Sequence, residues 1–140
     1  MHHVAIMNKS WKLIPKILSG EKSIESRWYQ TRRTPWNKIA SGDIVFFKNS
    51  GEPVTVKAAV SEVLQFEFSN DEEICRVLKK YGKKICLTET DFNKWGKVPR
   101  YCVLMRLENP ESIKPFEVNK EGFGTGAAWL TMQNIAKIKK

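Results

Sequence analysis

The chain has 140 residues, 41% of them hydrophobic and 28% charged, with a formal net charge of +9. That composition is globular rather than disordered, and the length suits one compact domain over residues 1–140 without disulfide staples. No run approaches the roughly 18 apolar residues of a membrane span, and Asn8, Lys9 and Ser10 interrupt the short apolar start, so neither a transmembrane helix nor a signal peptide is expected.

His3 to Met7 alternate weakly and predict a first strand. Ser10 is a candidate N-cap for a helix through Trp11, Leu13, Ile14, Ile17 and Leu18. Pro15 should tighten or kink that helix, and Gly20 should end it in a left-handed conformation. Lys22 to Tyr29 reads as a strand with Ser23, Glu25, Arg27 and Tyr29 on one face and Ile24, Ser26 and Trp28 on the other. Lys22 has the wrong parity to join Glu25 and Arg27 unless the Gly20 turn rotates it inward. TRRTPWNKIASGD is a loop closing on a Ser41-Gly42-Asp43 turn, followed by a buried strand from Ile44 to Phe47. Val54 to Phe68 is a long β-rich run with a bend or bulge near Ala58 and Ala59.

Asn70 or Asp71 can cap a helix through Ile74, Val77, Leu78 and Tyr81 that stops at Gly82. Thr88 to Asp91 forms a capping pattern before Phe92 and Trp95. Tyr101 to Leu107 is the next strand, and Ala127 to Met132 a final one. Cys75, Cys86 and Cys102 are odd in number and far apart, with no CxxC pair. With His2 and His3 read as part of a mobile start, neither a disulfide framework nor a zinc site is predicted, and no metal or cofactor is assigned. Free thiols of this kind fit a reducing cytoplasm.

The net charge and a pI of about 9.6 favour a polyanionic partner, most simply nucleic acid. A basic surface that binds nothing is equally compatible with charge alone. The stretch GEKSIESR narrows the choice. Read as G-x-K-x-x-E-x-R over Gly20, Lys22, Glu25 and Arg27, and preceded by the helix KLIPKILS, it resembles the signature of the ASCH domain, a branch of the PUA-like superfamily. IASGDIVFFKNSG resembles the family's strand after a Gly-Asp turn, and the likeness covers roughly residues 4 to 107.

The resemblance implies an α+β fold: a small mixed or antiparallel β-barrel with flanking helices. It implies RNA or a nucleotide as partner, held in a cleft near the motif. It also implies an alternative, because some small ASCH proteins are metal-independent hydrolases of N4-acylated cytidine or of RNA. In the amidohydrolases a Lys and a Thr of this motif act with a distant Glu. Lys22 matches the Lys, whereas Glu25 stands where the Thr would be.

Lys22, Glu25 and Arg27 are therefore the central candidates. Arg27 can grip a phosphate or carboxylate with two bonds, Glu25 can accept from an amino or hydroxyl group or orient Arg27, and Lys22 adds a point charge. In an enzyme, Lys22 and Glu25 are the catalytic pair, although a neighbouring carboxylate favours the ammonium over the nucleophilic amine. Arg32, Arg33, Trp36 and Trp129 extend the ligand-binding set, with Trp36 and then Trp129 expected as exposed platforms on which bases stack. Trp28 is a further stacking candidate, and Trp11 and Trp95 are assigned to the core. Lys79, Lys80, Lys83, Lys84 and Arg100, within a cluster that includes Arg76, Lys94 and Lys97, are expected to contact phosphates. A bland reading competes throughout: a Glu-Arg pair on a solvated strand edge worth about 0–1 kcal/mol, and lysines complementing a helix dipole. A module that docks an acidic protein on its basic face is a third possibility.

Overall fold

The computed structural model describes residues 1–94 and 98–140; Trp95 and Lys97 lie outside that set. In chain order the elements are β1 (His2–Met7), α1 (Leu13–Ser19), β2 (Ile24–Tyr29), β3 (Ile44–Asn49), β4 (Val54–Glu67), α2 (Asp71–Ile85), α3 (Glu89–Asn93), β5 (Tyr101–Phe116) and β6 (Trp129–Met132). The strands form one six-stranded sheet in the order β2-β5-β4-β3-β1-β6. β1 and β3 run parallel, and the other neighbours are antiparallel.

The long β4–β5 pair gives the sheet its curl. Its register shifts between Val54 and Val56, Lys57 and Ala59, and Val60 and Glu62, and each irregularity bends and twists the ladder locally. The curl turns one face inward, where Ala5, Val45, Phe47, Val103 and Met105 meet Ile14 and Ile17 of α1. On the outer face α2 lays Ile74, Val77, Leu78 and Ile85 against Ile24, Cys102 and Leu104. The result is an α+β half-barrel. Its edge strands, β2 and β6, share no backbone ladder.

Two helix boundaries depart from the sequence reading. Asn8, not Ser10, makes the first cap, its Oδ1 accepting from the Ser10 amide at 3.0 Å. A short 3-10 turn over Lys9–Trp11 follows, and Lys12 then adopts a left-handed conformation, φ 55°, before α1 begins. That break takes Trp11 off the buried helical face, so it is 54% exposed rather than in the core. It also puts Pro15 in the first turn of α1, where its missing N–H has no helical partner to lose. In the second case α2 continues past Gly82 and ends at Cys86, which is left-handed at φ 64°. Gly82 serves close packing instead of termination, since a Cβ there would lie 2.8 Å from the Leu87 carbonyl oxygen.

The other caps follow the reading. Gly20 ends α1 at φ 85°, Asn70 caps α2, and Thr88 and Asp91 form a capping box on α3. All three cysteines are free thiols, and burial pushes the Cys102 thiol well up. Among the described residues no helix is long and apolar enough to cross a membrane.

Candidate functional site

Alternation along β2 turns Glu25 and Arg27 to the inner face, and the left-handed Gly20 turn brings Lys22 to them. The Lys22 amide bonds the Lys16 carbonyl at 2.9 Å and the Ser23 amide bonds the Lys84 carbonyl at 3.0 Å, pinning the start of β2 between the ends of α1 and α2. The Lys22 ammonium donates to the Ile85 carbonyl at 2.6 Å and lies 3.5 Å from Glu25 Oε1. Oε1 also accepts from the Ser26 amide at 2.7 Å. Oε2 lies 3.5 Å from Arg27 Nη2 but is buried without a hydrogen bond. Lys22 and Glu25 are each only 2% exposed, so they do not form a solvated strand edge. Removing an ion from water costs several kcal/mol even after relaxation, and this set survives burial by mutual pairing. Two cations against one carboxylate leave the seam net positive.

Arg27 crosses the gap between the sheet edges. Its Nη1 donates to the Ala128 carbonyl at 3.3 Å. Its Nη2 reaches the Ile6 carbonyl at 3.4 Å and Met7 Sδ at 3.3 Å. The guanidinium carbon sits 5.0 Å from the centre of the Trp129 ring. The two oxygen contacts are longer than the about 2.7–3.2 Å of a well-formed N–H···O bond. A half-buried guanidinium held this loosely can exchange weak partners for a stronger acceptor.

Beyond Arg27 the chain gathers basic and aromatic side chains from distant segments. The Arg100 amide bonds the Tyr29 carbonyl at 2.9 Å, setting Arg100 beside the end of β2 where Arg32 and Arg33 follow. Arg32 lies over Tyr101, 5.5 Å to the ring centre, and Arg33 lies over Tyr29 at 5.8 Å. Burial raises the Tyr29 phenol above its ordinary value, against the pull of Arg27 and Arg33. The structure thus brings Arg27, Arg32 and Arg33 around Tyr29 and Tyr101, whereas Arg100 lines a separate depression with Phe68, Asn70, Asp71 and Ile74 at the start of α2.

The expected tryptophan platforms are placed differently. Trp36 is half-buried against the inner core, edge-on to Tyr101 at 5.1 Å. Trp129 is 5% exposed, because the inward curl of the sheet and Arg27 cover it. Trp28 is half-buried on the outer face, stacked on Phe68 at 6.0 Å, with its indole N–H donating to Ser26 Oγ at 2.9 Å.

Lys79, Lys80, Lys83 and Lys84 are exposed on α2. The end of α2 meets the start of β2, so a strand length of about 17 Å separates the Lys83–Lys84 end from the far end of β2, beyond which Arg32 and Arg33 follow. A depression of about 610 Å³ lies near this end of α2, lined by Lys16, Lys79 and Lys83 but also by Glu21 and Asp91. Both places mix signs of charge, since Arg32 at the arginine end lies 3.7 Å from Glu67 Oε2.

His3 and Asp43 were missed by the sequence reading, which set the histidines aside as a mobile start. His3 is instead fully buried in β1. Its Nε2 is 2.8 Å from Asp43 Oδ2, and its Nδ1 is 3.0 Å from Thr131 Oγ1 and 3.1 Å from Trp129 Nε1. Burial lowers the imidazole below its ordinary value, opposed by the hydrogen bond and charge of Asp43. Burial also raises the Asp43 carboxyl, but hydrogen bonds from His3, the Ala40 amide and the amino terminus outweigh it and leave Asp43 below its ordinary value. The available signal was parity: His3 shares a strand face with Ala5 and Met7. Among the described residues no group of three or more His, Cys, Asp or Glu side chains is placed to hold a metal ion.

No protein-family model and no curated protein matches the sequence. Among solved structures, the ASCH protein from Zymomonas mobilis is similar with a TM-score of 0.71 at 16% identity, over 99% of this chain and 96% of that one. Two single-residue variants of that protein align with TM-scores of 0.72 and 0.71, each at 17% identity and over 97% of this chain, covering 93% and 91% of theirs. The likeness extends over almost the full length of both chains. The α+β half-barrel is thus the fold of that ASCH protein.

Proposed function

We propose that this ASCH-fold chain binds RNA or a nucleotide at the seam between β2 and β6, with Arg27 as its central contact. The observation that carries the reading is the state of Arg27: a guanidinium backed by a buried ion pair, laid on an aromatic ring and held by long hydrogen bonds. A phosphate offers such a group two short charge-assisted bonds in the fork geometry it matches. Lys22 and Glu25 act from behind, Lys22 supplying positive charge and Glu25 fixing Arg27 and offering its unbonded Oε2 to a donor brought close by the ligand. Arg32 and Arg33 extend the site along the nucleic acid backbone, and Tyr29, Tyr101 and Trp36 form the aromatic bed beneath them. Arg100 and the lysines of α2 add sequence-independent attraction for phosphate.

The hydrolase alternative requires a neutral amine on Lys22. Its nitrogen donates to the Ile85 carbonyl at 2.6 Å and faces a carboxylate, which is the setting of a structural ammonium. The binding reading is tested by anisotropy of a short labelled single-stranded RNA across a salt series, for the natural protein and Arg27→Ala. The expected result is binding that weakens with salt and that Arg27→Ala reduces at every salt concentration. Equal binding by both proteins, or binding by neither, contradicts it.

A further inference from the structure

The contacts of His3 lead beyond its own pocket to Arg27. An indole N–H only donates, so at 3.1 Å from Trp129 Nε1 the His3 Nδ1 must accept. The ring proton is then on Nε2, donated to Asp43 Oδ2 at 2.8 Å. Thr131 Oγ1, at 3.0 Å, approaches the same accepting nitrogen. The Trp129 ring held in this way is the one that receives the Arg27 guanidinium. Asp43, His3, Trp129 and Arg27 thus form one continuous chain from the turn before β3, through β1 and β6, to β2.

We infer that His3 is a positioning residue for Arg27: in its neutral form it fixes the Trp129 ring that supports the guanidinium, and its protonation releases both. This inference rests on the binding reading only for its functional consequence. A proton on Nδ1 would face the indole N–H donor to donor, so the ring must turn away. The charged groups around His3 set when this happens. Asp43, from the turn before β3, favours the imidazolium, whereas His2 and the amino terminus beside β1 oppose it. β3 presents the apolar Val45 opposite His3, β6 presents Thr131 and Trp129, and the cationic Arg27 lies beyond the indole. Burial makes the proton harder to add, so the neutral, Arg27-holding form prevails at neutral pH and is lost on acidification.

The test uses the full chain with two variants. His3→Gln keeps a donor for Asp43 and an acceptor for Trp129 but does not titrate. Trp129→Phe keeps a ring beneath Arg27 but removes the N–H that conflicts with a protonated His3. The Trp129 indole N–H and Arg27 Nε–H resonances are followed with pH by NMR, alongside affinity for a single-stranded RNA that carries no terminal phosphate. In the natural protein both resonances should follow one titration with a midpoint below 6.5, the ordinary histidine value. RNA affinity should fall about tenfold between about pH 7.5 and about pH 5, against less than about twofold in either variant, the loss expected when a partly buried cation–ring contact is given up. An Arg27 resonance that stays still while the Trp129 resonance titrates overturns the inference. So does full pH dependence in Trp129→Phe, which remains available if His3→Gln fails to fold. If the two resonances titrate together while RNA binds at no pH, the positioning link stands and the binding reading fails.

Discussion

The seam around Arg27 and the exposed side of α2 carry the same sign of charge, yet they are built in opposite ways. On α2, Lys79, Lys80, Lys83 and Lys84 project from a single helix into solvent. At the seam, Lys22, Glu25 and Arg27 are drawn together from a turn and a strand. They are closed in by Ile85, Ala128 and Ile6, residues that lie 63, 101 and 21 positions from their respective partners. An exposed lysine costs the fold almost nothing and is screened within about 8–10 Å at ordinary salt. A buried ion set is expensive to assemble, and the long contacts of Arg27 leave part of that cost unrecovered by hydrogen bonding within the chain. Charge density marks the α2 face; incomplete satisfaction marks the seam.

The comparison is broken most sharply at Glu25. Glu25→Ala leaves the Lys22 ammonium buried without its carboxylate and should destabilise the protein by about 3–5 kcal/mol in urea unfolding. The double substitution Lys83→Ala and Lys84→Ala should stay within about 0.5 kcal/mol per site in the same assay. Gly82→Ala lies between them. Its methyl group must displace the Leu87 carbonyl, at a cost of about 1–3 kcal/mol, which tests the close packing of the turn that follows α2 against the helix. The next effect is a dependence on pH. His3 binds a proton less readily folded than unfolded, so the unfolded chain takes up the proton first. Its contribution to stability is full above the unfolded value of 6.5 and declines as pH falls through 6.5 toward the lower folded value. His2 is lowered in the same direction. Urea midpoints measured between neutral and mildly acidic pH should therefore fall, and His3→Gln should flatten part of that slope. The smallest effect belongs to α2: removing Lys83 or Lys84 should change the log–log salt slope of RNA binding by less than the about one unit that marks a direct phosphate contact.

Much of this arrangement was legible in the sequence where the decisive interactions are local. Strand parity put Glu25 and Arg27 on one face. Gly20 marked the turn that brings in Lys22, and the capping patterns at Asn70 and Thr88 fixed two helix starts. The bend near Ala58 and Ala59 appears as the register shift between Lys57 and Ala59. The reading failed where distant segments decide. The depth of Lys22 depends on the end of α2, and the fate of Trp129 depends on His3, 126 positions away. Trp11 was misplaced by one left-handed residue, Lys12, which breaks the helical phase without any glycine to announce it.

The most direct test of the seam as the binding site holds charge constant. RNA affinity is measured at one salt concentration for Arg27→Lys and for the Lys83→Ala, Lys84→Ala double variant. Arg27→Lys keeps its charge but loses the planar fork, and its affinity should fall about tenfold, the size of a lost bidentate contact. The double variant loses two charges and should fall by less. Weaker binding by the double variant than by Arg27→Lys would place the RNA on α2 and contradict the account.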